Sequence, residues 1–279
     1  MSFTNQYPIE QLPLTSELRD HIDVLRERVF SANGYLPQFN LLINDLISLR
    51  NSVSTGASVV SIERMLLYGK NLFAPLFSHT RYISLDSSPK SADQRGAYNA
   101  HMVSDPRFLS SECESIRCEP NALKLESEIA ELVLVPNLVH HVRDQMGMWN
   151  EVLRILKPGG RLYVFEPTFR EVHQSPDDYL RYTPHGLEST LEQIGFESFT
   201  SATTGGPFTA IAYCWTQAMQ YIDEPERQHR QKWFSEHYKE LVDLESRFPT
   251  NQVRKYTSFP TAFSLIANKP QSLSQRIKH

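Results

Sequence analysis

The chain has 279 residues, a formal net charge of −4, 40% hydrophobic residues and 22% charged residues. That length and composition fit one globular α/β domain of ordinary size with some extra helices. The charge offers no concentrated basic footprint for DNA or RNA, and no apolar run approaches the roughly 20 residues of a membrane span. The opening stretch, MSFTNQYPIEQLPL, lacks the basic region and apolar core of a secretory signal. Cys113, Cys118 and Cys214 are too few and too irregularly spaced for a disulfide framework or a zinc site. A cytoplasmic protein with reduced thiols is expected.

Residues 1–14 are polar with scattered prolines and are expected to be ill-structured on their own. Leu18, Ile22, Leu25 and Val29 then form a helical stripe behind Thr15 and Ser16 as capping candidates, and Asn33-Gly34 marks a turn. Phe39, Leu42, Ile43, Leu46 and Ile47 give a second helix. SVVSIE (58–63) reads as the first strand and RYISLD (81–86) as the second, ending in the carboxylates Glu63 and Asp86. Residues 115–118 read as the third. Leu132 to Val135 is an unbroken apolar run, short enough for a strand buried on both faces. A helix follows with Trp149, Val152, Leu153 and Leu156 on one face; Lys157 suits its last turn and Pro158-Gly159-Gly160 is expected to stop it. Leu162 to Phe165 is the fifth strand. Strand, helix and strand make a βαβ unit of a parallel sheet.

Further on, Leu187, Leu191 and Ile194 line a helix that Gly195-Phe196 ends. Residues 207–222 are apolar and aromatic, reading as a buried helix or a substrate wall. Residues 224–247 read as a charged amphipathic helix with Phe234, Tyr238 and Leu241 on one face. AFSLIA (262–267) reads as the last strand. Three regions result: a helical cap over residues 1–52, an α/β domain over 53–270 with a helical insertion at 207–248, and a tail over 271–279.

The stretch LVLVPNLVHHV…EVLRILKPGGRLYVFEP resembles the fourth strand, following helix and fifth strand of class I S-adenosylmethionine-dependent methyltransferases. The resemblance covers about residues 58–270. It implies a Rossmann-like sheet of seven strands, mostly parallel with an antiparallel last strand, helices on both faces, and S-adenosylmethionine as cofactor. N-terminal helices in that superfamily commonly form a lid; covering a sheet edge is the plainer alternative. The family carries a glycine-rich loop after the first strand, because the backbone there approaches the cofactor without a Cβ in the way. This chain has Arg64-Met-Leu-Leu-Tyr68 before a single Gly69. Either Gly69-Lys70 supplies the approach or the site no longer holds that cofactor. The resemblance places Glu63 at the cofactor's amino group, Asp86 at the ribose hydroxyls, Asn121 and Ala122 at the adenine, and Asn137 in the pocket floor. Asp86 as a helix cap, and Pro120-Asn121 as an ordinary turn, are the plainer alternatives.

The segment after the fifth strand, HQSPDDYLRYT (173–183), resembles one in methyltransferase-like proteins of sugar, polysaccharide and natural-product pathways. It leaves the carboxyl end of a central strand, where open α/β sheets bind ligands. His173, Arg170, Tyr179 and Arg181 are the substrate-side candidates, and a capped loop with Arg181 bound to a nearby carboxylate is compatible with that role. His140 and His141 invite a metal reading, with Asp144, His173, Asp177, Asp178 and His185 as further ligands. Adjacent histidines in an extended segment point to opposite sides, and no pair has i, i+4 spacing, so no metal is expected. His140, His141 and His173 are instead candidate general bases, one packing on the sheet and another reaching the pocket mouth. The function expected is methyl transfer to a hydroxyl or amine of a small molecule. The alternatives are a catalytically silent binding or partner subunit, or an enzyme using the pocket without methyl transfer. A homodimer or a protein partner is compatible with either.

Overall fold

The computed structural model describes residues 14–25, 38–64, 73–88, 113–247 and 259–271. Thr15 caps the first helix, α1 (Ser16–Val24), by accepting the Leu18 N–H at 3.3 Å, and α2 (Gln38–Ser52) follows. The strands are β1 (Ser58–Glu63), β2 (Arg81–Asp86), β3 (Glu114–Arg117), β4 (Ala130–Pro136), β5 (Leu156–Pro167), β6 (Glu197–Thr204) and β7 (Ala262–Asn268). Helices α3 (Gln145–Ile155) and α4 (Pro184–Ile194) flank β5, and α5 (Pro207–Ala218) and α6 (Glu226–Arg247) lie between β6 and β7. One sheet holds all seven strands in the order β3-β2-β1-β4-β5-β7-β6. Strands β1 to β5 pair in parallel, and β7 runs antiparallel to both β5 and β6. The expected Rossmann-like sheet with one antiparallel strand is therefore present.

The continuous apolar runs of the central strands serve two layers at once. Val59, Leu132, Leu134, Tyr163 and Phe165 face α1 and α2, joining Leu18, Ile22, Leu42, Ile43, Leu46 and Ile47 in one buried cluster. Val60, Ile62, Val133, Val135, Leu162 and Val164 face the opposite side and pack on Trp149, Val152, Leu187 and Leu191 of α3 and α4. Burying a side chain of this size stabilises by roughly 1.5–3 kcal/mol, so both helical layers are anchored along the length of β4 and β5. Gly195 ends α4 with φ at 111°, a left-handed conformation that frees the Gly195 and Phe196 N–H groups to bond the Leu191 carbonyl.

Two expectations are corrected. Helix α3 stops at Ile155, not at the Pro-Gly-Gly turn, and Leu156 already pairs with Ala130. Because the next pair is Leu132 with Arg161, residues 157–160 form a bulge within β5. Gly159 (φ 76°) permits that excursion, and a Cβ on Gly160 would lie 2.8 Å from the Lys157 carbonyl. Lys157 bonds Glu131, whose other oxygen accepts the Ser58 N–H at 2.6 Å. Helix α5, read as a buried helix or a substrate wall, is only partly buried, with Ala212 and Tyr213 inside and Ile211 50% exposed.

A polar contact of Asp45 links α2 to the sheet. The Tyr163 hydroxyl donates to Asp45 at 3.1 Å. Burial raises the Asp45 carboxyl to about 6, against hydrogen bonds from Ser264 and Tyr163 that lower it. A folded-state value above the unfolded one favours the protonated acid, so its contribution is complete below about pH 4 and lost as pH rises through about 6. At pH 8 the ionised group then costs at most about 3 kcal/mol. Asp45→Asn is expected to remove this dependence, equalling the wild type near pH 4 and exceeding it in urea unfolding near pH 8. Equal pH profiles for the two proteins would contradict the assignment.

Candidate active site

The strand order reverses between β1 and β4, and at such a switch point the loops leaving the carboxyl ends diverge and open a crevice. Glu63 and Asp86 end β1 and β2 there as register partners. Ser61 and Ser84 precede them on the same face, and Ser61, Ser84 and Glu63 are all buried. Buried polar groups at one edge of an apolar sheet call for a structural or ligand-binding reason. The Glu63 carboxylate lies beside the Tyr82 phenol, which burial and then that negative charge push up. Asp86 accepts from the Ser88 N–H at 2.9 Å and from its hydroxyl, so a local capping turn is present. Gly69 falls outside the described residues.

Beyond β3, an isolated bridge joins Glu119 to Ala122, and Asn121 and Ala122 are exposed. Asn121 donates its side-chain amide to Asp144 at 2.8 Å, which leaves its carbonyl as the outward acceptor. Asp144 also caps α3 through the Gly147 N–H at 3.0 Å. Asn137 leaves β4 with φ at 55° and bonds the Phe165 carbonyl at 2.6 Å.

Next comes a three-residue 3-10 turn, Val139–His141. In a 3-10 turn neighbouring side chains lie about 120° apart, so the extended geometry expected for the two histidines is corrected. Glu166, near the end of β5, organises this turn: one carboxylate oxygen accepts the Val139 N–H at 2.7 Å, the other the His140 Nδ1–H at 2.6 Å. The ring of His140 is fully buried and that of His141 nearly so, with centroids 4.0 Å apart.

The segment after β5 folds back over them. Tyr179 donates its N–H to the His140 carbonyl at 2.8 Å, and His141 Nδ1 lies 2.5 Å from the Asp177 carbonyl. The His173 ring lies with its centroid 5.3 Å from that of His140, tilted to it, and 4.8 Å from that of His141, edge-on. Arg64, the residue after β1, reaches the same segment, bonding Gln174 at 3.1 Å and Asp177 at 2.9 Å. Residues 173–179 therefore run from β5 across β4 to the edge of β1.

Electrostatics fix the charge states. Burial first, then the neighbouring histidines and arginines, lower His141 to about 3 and His173 to about 4. Both rings are neutral over the working pH range and are weak bases there, since a general base works best with a pKa near operating pH. Burial alone would raise Asp178, but Arg181 and the His173 N–H hold it well below the carboxylate range. Arg181 donates to both Asp178 oxygens and to the Leu180 and Glu171 carbonyls, so its guanidinium is engaged within the loop. Arg170 lies 3.7 Å from Glu171, and the exposed Tyr179 hydroxyl bonds Asp177 at 3.0 Å. His185 sits apart on α4 beside Glu188. Phe169 opens an apolar cleft of about 510 Å³ against Ile211 and Trp215 of α5 and Phe259.

A family model described as a methyltransferase domain matches residues 68–164. That match takes in β2, β3, β4 and most of β5, the part of the sheet that carries Asp86, Asn121, Asn137, His140 and His141. Among solved structures, the chain is similar to a candidate methyltransferase of Bacillus halodurans, at 14% identity over 81% of this chain and 98% of that one, with a TM-score of 0.48. It is similar to phosphoethanolamine N-methyltransferase 2 of Haemonchus contortus, bound to phosphomonomethylethanolamine and S-adenosylhomocysteine, at 15% identity and a TM-score of 0.47. That match covers 90% of this chain and only 60% of the other. A Haloferax volcanii protein in complex with the activator Trm112 matches at 16% identity over 91% and 94%, with a TM-score of 0.48. A comparison with curated proteins gave no match.

The structure gathers Glu63 with Asp86, and His140, His141 and His173 with one another. Arg64 and Glu166 were not among the expected site residues, and Asp177 was considered only as a metal ligand. Of these, Glu166 alone carried a sequence signal, as an acid near the end of a fully apolar strand. Glu166→Ala leaves two buried donors without their acceptor, a loss of about 3–5 kcal/mol, and is expected to lower Tm by roughly 6–15 °C. Glu166→Gln, which keeps an oxygen for one of them, is expected to lose less. Calorimetric melting curves decide it, and an unchanged Tm in the alanine variant would show that the turn stands without the carboxylate.

Proposed function

We propose that the protein binds S-adenosylmethionine in the crevice between β1 and β4 and transfers its methyl group to a hydroxyl or amine of a small molecule. The reading is carried by the in-register carboxylates Glu63 and Asp86 at the carboxyl edge of the sheet, beside the stretch that matches a methyltransferase-domain model. Asp86 would accept the ribose hydroxyls, Glu63 would face the cofactor's amino group, the outward carbonyl of Asn121 would accept from the adenine amine beside Ala122, and Asn137 would floor the pocket. The bound cofactor supplies a methyl group activated by a sulfonium centre. Residues of this chain orient the acceptor and exclude water, which is where a transferase of this kind gains most of its rate. The loop residues His173, Arg170, Tyr179 and Arg181 would present the acceptor, and the apolar cleft beginning at Phe169 would hold an apolar portion of it. The free thiols of Cys113, Cys118 and Cys214 support a reducing, cytoplasmic setting.

Calorimetry of the purified chain with S-adenosylmethionine and S-adenosylhomocysteine tests the reading. Hydrogen bonds to a charged acceptor contribute roughly 1.5–3 kcal/mol, so Asp86→Ala is expected to weaken binding about 10- to 100-fold. Absence of both heat and thermal stabilisation with either ligand would overturn the proposal in favour of a silent binding subunit.

A further inference from the structure

His140, His141 and His173 each offer a ring nitrogen, and these atoms lie within 4.8 Å of one another. In every ring, Nδ1 faces oxygen that only accepts. His140 Nδ1 meets the Glu166 carboxylate at 2.6 Å, and His141 Nδ1 meets the Asp177 carbonyl at 2.5 Å. His173 Nδ1 lies 3.2 Å from both the Glu171 carbonyl and Asp178 Oδ2. An acceptor at Nδ1 requires the proton there and leaves the lone pair on Nε2. Metal-binding imidazoles are held in the same way, an outer oxygen setting tautomer and ring orientation while the opposite nitrogen binds the ion. His140 Nε2 is buried with no hydrogen-bond partner. Left so, it bears a desolvation penalty that contact with the neighbouring rings does not relieve.

We propose that His140, His141 and His173 form a three-imidazole site for a divalent transition metal of the zinc class. Three neutral nitrogen donors suit zinc, cobalt, nickel or iron, and not the oxygen-seeking magnesium or calcium. Three protein ligands leave a coordination position for water or another heteroatom, as in catalytic zinc sites. Metal–nitrogen bonds of about 2.0–2.1 Å set tetrahedral nitrogens about 3.4 Å apart, so the cluster closes by roughly 1–1.5 Å on binding. His173 can make that move, since it sits on the post-β5 segment and is only partly buried. The surrounding charge permits it, because Arg64 and Arg181 are already paired with Asp177 and Asp178, and Glu166 stands behind His140. Under the methyl-transfer reading, the open position would hold the acceptor heteroatom; the metal site itself does not rest on that reading.

The test uses the full chain, stripped by chelator and titrated with cobalt(II), following ligand-field absorption, and with zinc(II) by calorimetry. One ion per chain with a Kd of about 1 μM or tighter is expected. His173→Ala and His141→Ala are each expected to weaken binding at least about 10-fold, while His185→Ala, outside the cluster, binds as the wild type does. His173→Gln, closer in size, separates loss of the ligand from loss of the fold, which circular dichroism monitors. Absence of ligand-field bands, or affinity unchanged in both His173 variants, would overturn the proposal. Neither titration contains S-adenosylmethionine, so its failure is distinguishable from failure of the methyl-transfer reading.

Discussion

The two oxygens of Glu166 decide how the chain leaves β4. A carboxylate only 2% exposed at the end of a central strand needs donors for both oxygens, since an unpaired buried charge costs several kcal/mol. The Val139 N–H and His140 Nδ1–H supply them. Meeting that demand bends residues 139–141 into a tight turn and holds one imidazole against the sheet. The His141 and His173 rings then pack against His140 at tilted angles. A single acid thus converts the flat carboxyl edge of a parallel sheet into a shaped wall.

The two halves of the crevice differ in character. On the β1–β2 side, acids dominate, with Glu63 buried and Asp86 held by Ser88. On the β4–β5 side are imidazoles, those of His141 and His173 held neutral by burial, backed by carboxylates that are themselves bonded to backbone or arginine. An acidic wall suits hydroxyls and amines that donate hydrogen bonds, whereas neutral nitrogens suit an electrophile or a metal. A crevice with both walls can hold two ligands of different chemistry.

The sheet was legible from the sequence because its strands are short apolar runs ending in polar residues, a pattern that burial on both faces imposes. Glu63 and Asp86 were legible for the same reason, as acids at strand ends. The convergence of the three histidines was not: the turn that brings His140 and His141 together depends on Glu166, and His173 arrives only because residues 173–179 cross β4. The Pro-Gly-Gly stretch was read as a helix stop because its local chemistry is that of a terminator. The pairing of Leu156 with Ala130, which turns it into a bulge, is a tertiary fact. Arg64 read only as a missing glycine, and its partner lies 113 residues away.

The Arg64–Asp177 ion pair has a thermodynamic consequence. Together with the Arg64–Gln174 hydrogen bond, it ties the end of β1 to the segment that roofs β4. An anionic group arriving in the crevice competes with Asp177 for the same guanidinium, and accepting it loosens the roof. Occupancy of the crevice and the freedom of residues 173–179 are therefore linked quantities, each shifting the other by the same free energy. Salt, which weakens the ion pair, acts on both at once.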